Sequence, residues 1–239
     1  MVENLREIIF DTETTGLSSK DGDRIIEIGA IELINRFPTG KTYHVYINPE
    51  DREVHPDAYN VHGIGNDDLK DKPVFTEILD DFLAFFENAK LIAHNASFDM
   101  GFVNAELQRA GKTPIDASHV IDTLQIARRK FPGQRNSLDA LCARFGIDNS
   151  HREKHGALLD SELLAEVYIE LLGGKQASLG FEQQADSNSS AGGAEENFTA
   201  HKISKRQNPL PPRLTQEEIE RHNEFIATLG DDAIWKKLA

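Results

Sequence analysis

Hydrophobic periodicity stops at Gly174, and that sets the size of any core this chain can build. Up to Leu171-Leu172-Gly173-Gly174, apolar residues recur at strand and helix periods. From Glu182 to Ala200 the sequence reads EQQADSNSSAGGAEENFTA, with one aromatic and almost no aliphatic side chains. Such a stretch buries too little apolar surface to offset the entropy of ordering it. The expectation is therefore a folded domain over 1–174, a flexible linker over 175–208 and a short tail over 209–239. The domain is long enough to bury a core without staples.

The tail has its own logic. Pro209, Pro211 and Pro212 precede Thr215-Gln216-Glu217-Glu218, a capping-box pattern that opens a helix. Ile219, Ile226 and Leu229 make a narrow apolar stripe, Gly230 stops the helix, and the only tryptophan, Trp235, follows. A helix this short is marginal alone, so its apolar face needs a partner.

Within the first 174 residues, strands come before helices. Ile8-Ile9-Phe10, Arg24 to Ile34 and Thr42 to Ile47 read as three strands with connections short enough for antiparallel pairing. Val74 to Glu87 is an amphipathic helix, with Ile78, Phe82, Phe85 and Phe86 at helical spacing. A strand at Leu91-Ile92-Ala93, a helix from about Ser97 to Arg109, and a weaker strand at His119-Val120-Ile121 follow. Helices near Thr123 to Arg129, Ser137 to Phe145 and Gly156 to Leu172 complete the pattern. It predicts an α/β fold, a mixed sheet flanked by helices.

Composition excludes several classes. Lys and Arg number 26 against 40 Asp and Glu, a formal charge of −14, which argues against holding nucleic acid by bulk electrostatics. One cysteine, Cys142, rules out an internal disulfide framework and fits a reducing compartment. The start, Met1-Val2-Glu3-Asn4-Leu5-Arg6-Glu7, does not read as a secretory signal, and no apolar run is long enough to span a bilayer. A soluble, cytoplasmic protein is expected.

Four carboxylates stand where packing alone would not place them. Asp-x-Glu occurs three times, at Asp11, Asp51 and Asp160. In the first copy, strand alternation puts Ile9, Asp11 and Glu13 on one face. Two acids at the end of a buried strand repel each other and lose hydration unless a cation sits between them; the bland alternative is a solvated strand end. Asp99 precedes Phe102 and Val103 by three and four residues, which puts it on the core-facing stripe of its helix. Asp160 stands in the same relation to Leu163, Leu164 and Val167. Clustered carboxylates suit Mg²⁺ or Mn²⁺, and the lack of a Cys/His cluster argues against structural zinc. His155, five residues before Asp160, is placed to act as a general base, since an imidazole titrates near neutral pH.

The order of these parts carries a resemblance. Phe10-Asp11-Thr12-Glu13-Thr14-Thr15-Gly16, then His94-Asn95-Ala96-Ser97-Phe98-Asp99, then His155-Gly156-Ala157-Leu158-Leu159-Asp160 resemble the three motifs of the DEDDh exonucleases. Phe131-Pro132-Gly133-Gln134-Arg135-Asn136-Ser137-Leu138-Asp139-Ala140-Leu141-Cys142 resembles, more narrowly, the proofreading subunits of bacterial replicative polymerases. The resemblance covers residues 5 to 173.

It implies a ribonuclease H-like fold and 3′→5′ exonuclease activity on single-stranded or frayed DNA 3′ ends, releasing 5′-monophosphates. Asp11, Glu13, Asp99 and Asp160 would hold two divalent cations, Mg²⁺ or Mn²⁺, with Asp11 bridging them, and His155 would be the general base. Thr15, Leu17, His62, Asn95 and Phe98 stand where the family contacts the terminal nucleotide, together with Asp11, Glu13 and Asp160. For Phe98, plain core packing is the equal alternative. Gln176-Ala177-Ser178-Leu179-Gly180-Phe181 resembles a sliding-clamp-binding peptide, with Gln176, Leu179 and Phe181 as its anchors. The tail occupies the region where the family attaches to the polymerase alpha subunit, and a small third core subunit is a further partner. An RNA-trimming exonuclease, or a silent connector between clamp and polymerase, are the rival readings; a zinc hydrolase is a poor third.

Overall fold

The computed structural model describes residues 5–150, 154–174 and 215–228. The linker, the peptide 176–181 with Gln176, Leu179 and Phe181, and the tail residues Leu229, Gly230 and Trp235 lie outside the described residues. By its contacts the chain divides into two units, Met1–Phe181 and Glu182–Ala239.

The first unit is built on five strands: β1 (Arg6–Thr14), β2 (Ile25–Ile34), β3 (Phe37–Tyr46), β4 (Lys90–Ala93) and β5 (Val120–Asp122). Their order across the sheet is β3-β2-β1-β4-β5. β2 pairs antiparallel with β1 and β3, while β4 runs parallel to β1 and β5. The sheet is mixed, as the run of strands before alternating strands and helices predicts.

β1 lies at the centre, and its alternation decides which side chain faces which layer. Ile8 and Phe10 enter one layer, with Phe75, Phe82 and Phe86 of α3 (Phe75–Phe86) and Phe102, Val103 and Leu107 of α4 (Ala96–Arg109). Ile9 enters the other, with Leu164, Ala165 and Tyr168 of α7 (Ala157–Leu171). Each such fully buried aliphatic or aromatic side chain contributes about 1.5–3 kcal/mol. α5 (Thr123–Lys130) and α6 (Leu138–Phe145) pack behind α7 through Ala127, Leu141 and Cys142.

Three features differ from the sequence reading. β3 begins at Phe37 rather than near Thr42, because Asn35 and Arg36 both take positive φ, 52° and 70°, and close a two-residue hairpin. β1 runs on to Thr14, so Asp11 and Glu13 lie inside the strand, and a register shift after Glu13 breaks the ladder there. Two short helices also appear, α1 (Pro56–His62) and α2 (Asn66–Leu69), each too short to carry a periodic signal.

In the second unit α8 spans Gln216–Thr228. The capping box is formed: Thr215 Oγ1 accepts from the Glu218 amide at 3.3 Å, and Glu218 Oε2 accepts from the Thr215 amide at 2.8 Å. Ile219 and Ile226 are half-buried, and Phe225 on the same helix is exposed.

Candidate active site

Three elements deliver the four predicted acids, with Asp11 and Glu13 both on β1. Glu13 comes from β1, Asp99 from the first turn of α4 and Asp160 from the first turn of α7; all three are buried. Glu13, His155 and Asp160 each offer one donor atom within 4.8 Å of the others. His155 Nδ1 lies 3.1 Å from Asp160 Oδ2. A carboxylate oxygen only accepts, so Nδ1 carries a proton, which in the neutral imidazole leaves the lone pair on Nε2. The His155 amide donates to the Val61 carbonyl at 3.3 Å, which ties this half-turn to α1.

Asp11 and Asp99 stand outside that trio. Asp11 shares its face of β1 with Glu13 and pairs across the ladder with Gly29. Thr12, on the opposite face, donates its hydroxyl to Asp99 Oδ1 at 2.7 Å. Burial pushes the Asp99 carboxyl up to about 7, against the hydrogen bonds from Thr12 and the α4 backbone, which act to lower it.

The close seat of α7 on β2 is what brings Asp160 to Glu13. A Cβ on Gly29 would lie 2.1 Å from the Leu158 amide nitrogen, so only glycine lets the helix approach this strand. Ser161 Oγ bonds the Gly29 carbonyl at 2.8 Å. Gly156 offers α7 no side-chain cap; instead Glu27 Oε2 accepts from the Ala157 amide at 3.2 Å, and Glu27 Oε1 meets His44 Nε2 at 2.7 Å. Glu27 is 2% exposed and faces Glu13 across the ladder. The sequence reading passed over Glu27. Its signal is an acid inside the otherwise apolar run Ile25-Ile26-Glu27-Ile28-Gly29-Ala30.

The other predicted contacts divide by exposure. Leu17 is 86% exposed and lines an apolar groove of about 540 Å³ with His55, Ala58 and Val61. Val61 is a second exposed apolar side chain that sequence reasoning missed. Thr15 is buried, its amide on the Arg24 carbonyl at 2.9 Å and its carbonyl taking the His55 amide at 2.8 Å, so it braces the loop that holds Leu17. His62 is buried; its Nδ1 accepts from the Ile64 amide at 3.0 Å, and its Nε2 makes no hydrogen bond within 3.5 Å among the described residues. Burial holds His62 below the ordinary histidine value, outweighing the Thr14 backbone and the Glu27 charge. Asn95 is exposed at φ 65°, and its amide donates to Asp122 Oδ1 at 3.1 Å. Phe98 is half-buried against Phe102, ring centroids 5.0 Å apart, so core packing accounts for part of it.

Hard oxygen donors on buried, like-charged groups, with an imidazole at their edge, fit a divalent cation better than any structural role. Residues 8–168 match the exonuclease family. Over 232 residues, 95% of this chain and 98% of the relative, it is 48% identical to DNA polymerase III subunit epsilon of Rickettsia felis. Against the subunit of the same name from Escherichia coli K12 it is 43% identical over 242 residues, 97% of each chain. The chain belongs to the exonuclease family, among the DNA polymerase III epsilon subunits.

Solved structures agree. An exonuclease X in complex with 5′-overhanging duplex DNA is 27% identical, with a TM-score of 0.53 over 70% of this chain and 90% of that one. The nuclease domain of 3′hExo, a DEDDh family member bound to rAMP, shares the fold at 20% identity, with a TM-score of 0.61 over 72% of this epsilon-family chain and 93% of that one. The ribonuclease H-like expectation holds, and membership makes the chain a divalent-metal-dependent nuclease. Among the described residues, no helix is long and apolar enough to cross a membrane.

Proposed function

We propose that this chain is the proofreading exonuclease of a bacterial replicative polymerase, removing mispaired nucleotides from DNA 3′ ends as 5′-monophosphates. The observation that carries the reading is the Glu13–His155–Asp160 cluster, which joins the first and third motifs, while Thr12 of the first bonds Asp99 of the second. Asp11, Glu13, Asp99 and Asp160 would hold two ions, Mg²⁺ or Mn²⁺. Bound there, such ions polarise the phosphodiester, ease deprotonation of the attacking water and stabilise the leaving 3′ oxygen.

The chain's own groups do the rest. His155 takes the water's proton on Nε2, while its Nδ1–H bond to Asp160 holds the ring in that tautomer. Leu17 and Val61 would offer apolar surface to the terminal base, with Thr15, His62, Asn95 and Phe98 as further nucleotide contacts in this reading. A base must leave its stack to reach this groove, and a mispaired end unstacks more cheaply than a matched one.

The relatives' names place them in a polymerase, and similarity runs past the nuclease domain to 95% or more of this chain. That supports a cytoplasmic replicase subunit whose tail, 209–239, holds the polymerase alpha subunit and whose Gln176, Leu179 and Phe181 hold the sliding clamp. A small third core subunit is a further partner in this reading.

The test is a primer–template digested with Mg²⁺ or Mn²⁺, its 3′ end matched, mispaired, or made of RNA. Mispaired DNA should be shortened fastest. Equal rates on matched and mispaired ends would overturn the proofreading reading, and preferential loss of the RNA end would favour the trimming one.

A further inference from the structure

The segment Phe131 to Ser137 is built more firmly than a connecting loop requires, and the chemistry described so far does not use it. Gly133, at φ 74°, turns the chain. The Asn136 side-chain amide donates to the Phe131 and Gln134 carbonyls at 3.2 and 3.1 Å, and its oxygen takes Arg144 Nη1 at 3.2 Å. Arg144 also donates to the Arg135 carbonyl at 2.9 Å and lies over the Phe131 ring at 4.3 Å. The loop is thus held by its own amide and by one arginine from α6.

That bracing leaves other cations facing water. Arg128, Arg129, Lys130 and Arg135 are all exposed, and no ion pair is formed by any of them among the described residues. No acid lies between Thr123 and Leu138, in a chain of net charge −14. Beside them runs a groove of about 540 Å³ lined by Leu124, Arg128, Gly133, Gln134, Asn136 and Ser137. The groove belongs to the catalytic end of the sheet: the Asn136 carbonyl accepts from His94 Nε2 at 2.8 Å, and His94 leads directly from β4 into α4, which carries Asp99.

We propose that this groove binds the phosphodiester backbone of the substrate strand behind its 3′ end, with Arg128 and Arg135 holding the phosphates. The inference rests on the nuclease reading above. Point charges beside a preformed groove suit a polyanion read without regard to base. A second foothold also answers how so acidic a protein keeps a strand in register while nucleotides are removed one by one.

The experiment uses the full chain and its Arg128→Ala/Arg135→Ala variant, with Lys41→Ala/Lys112→Ala as the charge-matched control. Binding of a fluorescent single-stranded dT₂₀ is read by anisotropy in Ca²⁺ over a salt series. Hydrolysis of dT₂₀ and of the p-nitrophenyl ester of thymidine 5′-monophosphate is read in Mn²⁺. The double arginine variant should bind dT₂₀ about tenfold more weakly. Its salt slope should be shallower by about 1.4, which is about 0.7 for each phosphate no longer neutralised on a single strand. KM for dT₂₀ should rise while the ester, too short to reach the groove, is turned over within about twofold of the native rate. An unchanged Kd and slope would overturn the proposal, as would equal weakening in the lysine control. If the native protein cleaved neither substrate, the nuclease reading would fall, while the anisotropy series would still decide the groove.

Discussion

Asp99 concentrates the tension of this site in one residue. It is 3% exposed, and one hydroxyl, that of Thr12, is its side-chain donor. Its carboxyl is raised from the ordinary carboxylate value to about 7 by burial. A raised carboxyl makes the folded state bind the proton more tightly than the unfolded chain. It therefore costs stability as pH climbs above 3.8, and the cost is complete once pH passes the folded value. Asp99→Asn keeps the shape and removes the charge. Without metal at pH 8, its thermal midpoint should exceed the native protein's, while exonuclease activity falls by three orders of magnitude or so, as expected for loss of a charge-stabilising group. Mn²⁺ should raise the native midpoint by mass action and the variant's by less. A midpoint equal to native at pH 8, measured by calorimetry without metal, would mean that the carboxylate is not under this strain. Asp11, Glu13, Asp99 and Asp160 were visible in the sequence as misplaced acids, and His155 by its place five residues ahead of Asp160. Which of them touch was not, because Thr12's reach to Asp99 and the Glu13–His155–Asp160 cluster depend on how β1, α4 and α7 sit together.

Among the elements, the packing of α7 on β2 decides whether a site exists at all. Gly29 leaves room for the helix, Ser161 bonds its carbonyl, and Glu27 caps the first turn. Gly29→Ala should force α7 outward, destabilise the fold by about 1–3 kcal/mol and lower kcat on the order of a hundredfold through displacement of Asp160. Urea unfolding and steady-state kinetics on the same preparation test both halves; native kcat in a destabilised variant would show that the helix position does not matter. The periodic elements were legible from apolar spacing: α3, α4, α5, α6 and α7 end within a residue or two of where their patterns do. The hairpin at Asn35-Arg36 was not, since its second residue is arginine rather than the glycine that usually marks such a turn. α1 was missed for its length, yet it carries Ala58 and Val61 to the apolar groove.

At the scale of the molecule, several titratable groups are tied to the fold with one sign. Burial holds His94 below the ordinary histidine value despite its bond to the Asn136 carbonyl. Asp23 is also buried, which by itself raises a carboxyl, but the Ser18 amide and Arg52 outweigh this and hold it low. A lowered histidine means the unfolded chain takes up a proton first, so stability is lost as pH falls below about 6.5. His94→Gln should therefore shrink the drop in thermal midpoint between pH 7.5 and 5.5 relative to the native protein; an identical drop would free His94 of that role. Net charge and the acid-free run from Thr123 to Leu138 are legible in the sequence, but the place of that run in the fold is not. The bond between His94 and the Asn136 carbonyl holds the 131–137 loop at the catalytic end of the sheet.

The central claim is that carboxylates from β1, α4 and α7 form one metal-dependent centre. Its most direct test is digestion of a 3′-mispaired DNA primer–template in Mn²⁺ or Mg²⁺ by the native chain beside its Asp11→Ala and Asp160→Ala variants. One-nucleotide steps releasing 5′-monophosphates, abolished in both variants and by chelation, are predicted. Digestion that survives either substitution, or a native protein inert with every divalent ion, would contradict it.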